Sequence, residues 1–168
     1  MKQKFTKLHP FGYLFILFVL LVTGANAQTR TSSVIIGTSP FQDSMWVYNQ
    51  ADYSVLKRFG PTTPGFTITG INSIKQDPTT GVYYTILKLA SVTGRVLATI
   101  DVTTGVCTQI GNLGDNFATL AFNANGTMYG VTGNGATVPE TMYWIDKTTA
   151  AVTLFRPLGA GADGEVIE

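Results

Sequence analysis

The sequence predicts an all-β protein assembled from four-stranded repeats of about 45 residues. Three observations carry that prediction. Shifting the chain against itself by 45 positions aligns Gly81 with Gly126, Tyr84 with Tyr129, Ile100-Asp101 with Ile145-Asp146 and Thr103-Thr104 with Thr148-Thr149. The matches fall on turn residues and the runs beside them, as a structural repeat requires. Short runs rich in β-branched and aromatic residues separate the turns, and no sustained helical period occurs after the N-terminal segment.

The elements follow in order. Ser33 to Gly37 and Met45 to Tyr48 read as strands, and Tyr53 to Phe59 as a third after a turn over Asn49 to Asp52. This partial unit covers about residues 33–65 and matches the second half of a repeat. Its last part, Pro61 to Gly65, reads as a loop. The next unit, about residues 66–111, holds the turns Asp77-Pro-Thr-Thr-Gly81 and Asp101-Val-Thr-Thr-Gly105, with Val82 to Ile86 and Val96 to Ile100 as strands. The third, about 112–157, holds Asn123-Ala-Asn-Gly126 and Asp146-Lys-Thr-Thr-Ala150, with strands at Thr127 to Val131, Thr141 to Ile145 and Ala151 to Phe155. An Asp or Asn at the head of such a turn accepts backbone N–H groups, and a terminal Gly supplies the left-handed conformation. Ala150 replaces that glycine, so its turn is expected to be strained or differently shaped. Residues 158–168 form a glycine-rich tail.

The N-terminus carries an export signal. Lys2, Lys4 and Lys7 precede an uncharged apolar run from Phe11 to Val22, and Ala25-Asn-Ala27 supplies small residues for cleavage. A basic segment, a short apolar segment and an A-x-A site define a secretory signal peptide over residues 1–27. The run is shorter than the ~20 residues needed to cross a bilayer, so no span is expected after cleavage. Cleavage leaves 141 of the 168 residues, Gln28 to Glu168, with 8 basic and 10 acidic side chains. A formal charge of −2 without a basic run argues against nucleic-acid binding.

His9, the sole histidine, leaves with the signal peptide. Residues 28–168 therefore lack Ser-His-Asp and Cys-His nucleophile systems and histidine zinc ligands. Cys107 is the sole cysteine, so no intrachain disulfide forms, and its apolar strand setting reads as a buried small hydrophobe.

Repeated short-stranded units, with Ile-Asp-x-x-Thr-Gly on one hairpin and Ala-Phe-x-x-Asn-Gly-x-x-Tyr-Gly on another, resemble the blades of secreted bacterial β-propellers. The resemblance rests on Leu120 to Val131 and Tyr143 to Thr149 and covers about residues 45–157. Its motifs are turn chemistry, so they imply architecture rather than activity. Propellers close with four to eight blades. Two full units and a partial one therefore imply an incomplete propeller: a piece of a longer ring, a ring closed between chains, or a sandwich with blade-like hairpins. The end at Glu168 favours the first. Quinoprotein propellers share the Asp-x-x-Thr-Gly turn but follow it with a tryptophan, and Val106-Cys107-Thr108 stands there instead.

No motif selects a catalytic, cofactor or metal residue. Asp77, Asp101, Asn123 and Asp146 have the oxygen atoms to ligate calcium, but they lack the density of a calcium loop and read as caps of their own turns. Asn125-Gly-Thr127 is a formal glycosylation sequon that reads as a turn. Trp46, Trp144, Tyr84, Tyr129 and Tyr143 are candidates for a sugar platform, and the shared repeat position of Tyr84 and Tyr129 favours core packing. A carboxylate pair for hydrolysis would come from Asp43, Asp52, Asp115, Glu140 and Asp163, with no spacing to choose among them. The expected function is an exported, non-enzymatic binding or interaction module, without a cofactor, for a protein or carbohydrate at the cell surface. The alternative is a secreted, lactonase-like hydrolase using carboxylates and a divalent metal. Convergence of three or more Asp, Asn or Glu side chains from different units on one cavity would favour the hydrolase, and side chains that each cap only their own turn would count against it. A purely structural segment would have no cavity.

Overall fold

The computed structural model describes residues 34–159. The predicted signal peptide, His9 and Asp163 lie outside the described residues. Eleven strands form three antiparallel meanders, and there is no helix among the described residues. The first sheet holds β1 (Val34–Thr38), β2 (Met45–Asn49) and β3 (Val55–Phe59). The second runs in order through β4 (Ile68–Gln76), β5 (Tyr83–Leu89), β6 (Val96–Ile100) and β7 (Cys107–Asn112). The third runs through β8 (Phe117–Phe122), β9 (Met128–Thr132), β10 (Thr141–Ile145) and β11 (Val152–Pro157). These sheets do not close into a ring among the described residues.

Turn chemistry sets the hairpins. The Asp77, Asp101 and Asp146 carbonyls accept the N–H of Gly81, Gly105 and Ala150 at 2.8, 2.7 and 2.9 Å. Gly105 has φ +82°, and Ala150 holds the same left-handed conformation at +61°. The turn is therefore strained rather than reshaped, because a Cβ costs energy in this region. Several predicted boundaries move: β1, β9 and β11 start and end one or two residues later than expected, and β5 runs on to Leu89. Tyr53 was expected to open a strand but sits in the turn at φ +57°, so β3 starts at Val55. The loop after β3 is also partly paired: Thr62 bridges Val106 in parallel, with its N–H on the Gly105 carbonyl at 3.0 Å. Its carbonyl accepts the Cys107 N–H at 2.7 Å, so the segment covers the start of the outer strand of the second sheet.

Two apolar layers hold the sheets together. Between the first and second lie Met45, Ile71, Leu87, Ala98 and Cys107, all fully buried, with Ile36 and Phe59 packed against them. Between the second and third lie Ile86, Leu97, Leu113, Phe117, Leu120, Met128 and Ile145, flanked by Tyr84 and Phe122. In the second sheet, alternation along β5 and β6 sends Leu87 and Ala98 into the first layer and Ile86 and Leu97 into the second. A polar contact joins the second and third sheets: Leu120 N–H donates to Ser73 Oγ at 3.1 Å, while within the second sheet Thr85 Oγ1 donates to the Ser73 carbonyl at 2.8 Å. At a hairpin end, Lys147 Nζ meets the buried Asp77 carboxylate at 2.6 Å. Beside that pair, Gly126 approaches so closely that a Cβ would stand 2.7 Å from Thr79 Oγ1.

Candidate binding cleft

Among the described residues, hairpin turns use up four of the seven carboxylates, Asp52, Asp77, Asp101 and Asp146. Asp101 Oδ1 accepts Thr103 N–H at 2.7 Å and its hydroxyl at 2.6 Å, and Asp146 accepts the same two groups of Thr148. Asp52 Oδ1 does likewise with Ser54. Asn123 Oδ1 accepts Thr127 N–H at 2.9 Å, and Asn125 also caps Thr127. Hydrogen bonds to the ionised form hold a carboxyl below its usual range. The Thr103 hydroxyl, its N–H and the Thr104 hydroxyl bring Asp101 to about 2. Lys147, followed by the Thr79 donors, lowers Asp77 against the opposing effect of burial. Asp43 is exposed in the β1–β2 loop near Arg58, and Glu140 is buried at φ +50° beside β10. Among the described residues, no three His, Cys, Asp or Glu side chains gather in a metal-binding group. Cys107 is fully buried, and burial pushes its thiol up to about 11.

The aromatic candidates separate. Tyr84 packs on Phe122 at 5.7 Å and Tyr143 on Phe117 at 5.4 Å, both in the layer between the second and third sheets. Tyr129 and Trp144 instead flank Phe155 at 5.7 and 4.8 Å on the other face of the third sheet, where Trp144 is exposed. Trp46 is half-buried under the Arg58 guanidinium at 5.3 Å.

A cleft of about 430 Å³ opens where all three sheets contribute. Pro40 and Phe41 come from the β1–β2 loop, and Asn72, Lys88 and Arg95 from the second sheet and its β5–β6 turn. Asn116 precedes β8, and Gly133 to Gly135 form the start of the β9–β10 loop. Hydrogen bonds between these segments frame the cleft. Ile71 N–H donates to the Ser39 carbonyl at 2.8 Å, which sets Phe41 near Asn72. Arg95 N–H donates to the Asp115 carbonyl at 3.0 Å, and Leu113 N–H donates to the Arg95 carbonyl at 2.8 Å. Gly133 N–H donates to the Asn116 carbonyl at 2.9 Å. The Asp115 carboxylate accepts the N–H groups of Asn116, Thr137 and Val138 and so ties down the adjacent loop. Burial opposes ionisation of Asp115, yet these donors outweigh it and lower its pKa.

Three buried side-chain atoms have no hydrogen-bond partner in the protein among the described residues: Asn72 Oδ1, Arg95 Nε and Asn116 Oδ1. All three residues line this one cleft. A buried polar atom left unpaired costs about 1–3 kcal/mol, so three at one place need an explanation. Arg95 is also desolvated, which lowers its pKa, yet a guanidinium remains charged. Neither these three residues nor Phe41 is marked by any motif in the sequence, because the cleft is lined not by patterned carboxylates but by amides, two cations and an exposed phenyl ring.

No family model matches the chain, and no curated protein matches it. Among solved structures it is similar to a Bacteroides fragilis protein described as a putative 6-phosphogluconolactonase, at 14% identity and a TM-score of 0.39. The match covers 70% of this chain, which spans about a third (34%) of that protein's length.

Proposed function

We propose that the chain is an exported, non-enzymatic binding module, an incomplete β-propeller whose cleft at Asn72, Arg95 and Asn116 takes up a group from a cell-surface partner. One observation carries this reading: the three residues that bear unpartnered buried polar atoms all line the same cleft. Binding sites of this size are commonly apolar concavities with a few converging polar groups. The basic, apolar and A-x-A segments of residues 1–27 support export. Three amides from two units, Asn72, Asn116 and Asn134, do converge on this cleft, the arrangement expected of the hydrolase alternative, but hydrolysis by carboxylates and a metal needs carboxylates at the reacting centre. Among the described residues no carboxylate lines this cleft, and Asp115 beside it spends its oxygens on backbone N–H groups.

A ligand-binding role and a scaffolding role differ in sign when an unpaired atom is removed. Replacing Asn116 by Leu deletes a buried, unpaired carbonyl at similar volume. If folding makes no use of that oxygen, the melting temperature rises while binding falls, a common trade between stability and function. A lower melting temperature for Asn116→Leu would mean that the amide supports the fold, and would overturn the assignment of the cleft.

A further inference from the structure

We infer that the cleft binds an acidic saccharide, a sugar ring bearing a carboxylate or sulfate; this deepens the proposed function and rests on it. The argument is one of complementary deficits. Arg95 Nε needs an acceptor, whereas Asn72 Oδ1 and Asn116 Oδ1 need donors. A small inorganic anion satisfies the guanidinium and leaves both amide oxygens bare. A neutral polyol supplies hydroxyl donors to the amides and leaves the desolvated guanidinium without a counter-charge. A hydroxylated anion satisfies all three. Charged acceptors form the stronger hydrogen bonds with a guanidinium, so the acidic group belongs at Arg95.

The remaining lining fits the same class. Lys88 adds a second cation, and among the described residues no carboxylate lines the cleft to oppose an anion. Phe41 is 83% exposed at the rim, although Pro40 beside it is anchored against the second sheet. A Cβ on Gly70 would come within 2.1 Å of the Pro40 carbonyl oxygen, so the loop is seated directly on the strand backbone. An exposed phenyl ring held at the mouth of a polar cleft offers an apolar platform to the C–H face of a sugar ring. The volume of about 430 Å³ falls within the ~300–1,000 Å³ range of small-molecule sites.

Isothermal titration calorimetry tests this with four probes: trigalacturonate, a sulfated chondroitin disaccharide, galactotriose and inorganic sulfate. The inference expects at least one acidic saccharide to bind about tenfold or more tighter than galactotriose and sulfate. Whichever of the two acidic probes binds tighter identifies the anionic group. Arg95→Gln should remove that preference, Arg95→Lys should keep part of it, and Phe41→Ala should weaken every saccharide. Thermal melts of each variant confirm that it is folded. Equal binding of neutral and acidic sugars, an unchanged preference in Arg95→Gln, or no saccharide binding by the unmodified chain overturns the inference. Galactotriose binding that Asn116→Leu abolishes would leave the cleft reading standing and remove only the acidic class. A destabilised Asn116→Leu removes the cleft reading itself.

Discussion

Leu97→Ala tests whether the second and third sheets share one core. Leu97 is fully buried in β6 and belongs to the layer with Phe117, Leu120, Met128 and Ile145 of the third sheet. Truncation removes its isobutyl contacts and leaves a cavity, and neighbours held in two hydrogen-bonded sheets collapse only partly. Such changes cost about 2–5 kcal/mol. Taking about 3 kcal/mol, a domain of this size should lose roughly 10 °C in melting temperature. Leu154→Ala is the control, because Leu154 is 57% exposed on the outer strand β11, and its change should stay within about 0.5 kcal/mol. Tryptophan fluorescence reads the two ends of the assembly separately. Trp46 lies in the first sheet and Trp144 in the third, so Trp46→Phe and Trp144→Phe backgrounds each isolate one reporter. The shared core requires the Trp144 reporter of the third sheet to shift when Leu97 of the second is truncated. A shift no larger than that of Leu154→Ala, or one seen by Trp46 and not by Trp144, would refute it.

Other expectations follow from the same packing. Asp52, Asp77, Asp101, Asp115 and Asp146 all have lowered folded pKa values, with Asp101 at about 2. Their stabilisation is complete above the unfolded value near ~3.9 and is lost as pH falls through the folded values. Melting temperature should therefore hold from pH 6 to 5 and drop between about pH 4 and 2; a flat profile down to pH 2 would contradict the turn geometry. Cys107, raised to about 11 by burial, should not react with Ellman's reagent at pH 8 until urea unfolds the chain, and rapid native labelling would place it at the surface. Gly70→Ala drives a Cβ into the Pro40 carbonyl and should cost about 1–3 kcal/mol while displacing Phe41. An unchanged melt for that variant would mean that the β1–β2 loop does not sit on β4.

Much of the strand pattern was legible because turn chemistry is local. The Asp-x-x-Thr-Gly segments located the hairpins, and Val96–Ile100 and Thr141–Ile145 were bounded correctly from composition and periodicity. The strands β4 and β8 were harder to read. β4, ITGINSIKQ, breaks the two-residue period with register shifts at Ile68/Gly70 and Ile71/Ser73, and β8, FATLAF, shifts between Phe117 and Thr119. Such irregularities reset which face each side chain takes. The cleft was not legible at all. Asn72, Arg95 and Asn116 have no common spacing and meet only because a loop of the first sheet and turns of the other two converge. The nearest sequence signal was Phe41, a phenylalanine stranded in the Ser39-Pro40 loop with no strand pattern around it.

The most direct test of the account follows the Arg95 Nε–H resonance by ¹⁵N-edited NMR during titration with whichever acidic saccharide calorimetry finds to bind. The account predicts a downfield shift of that proton together with changes at the Asn72 and Asn116 side-chain amides, while the Asp77–Lys147 hairpin end stays still. Saturable binding that leaves those cleft resonances unmoved and shifts others would contradict it.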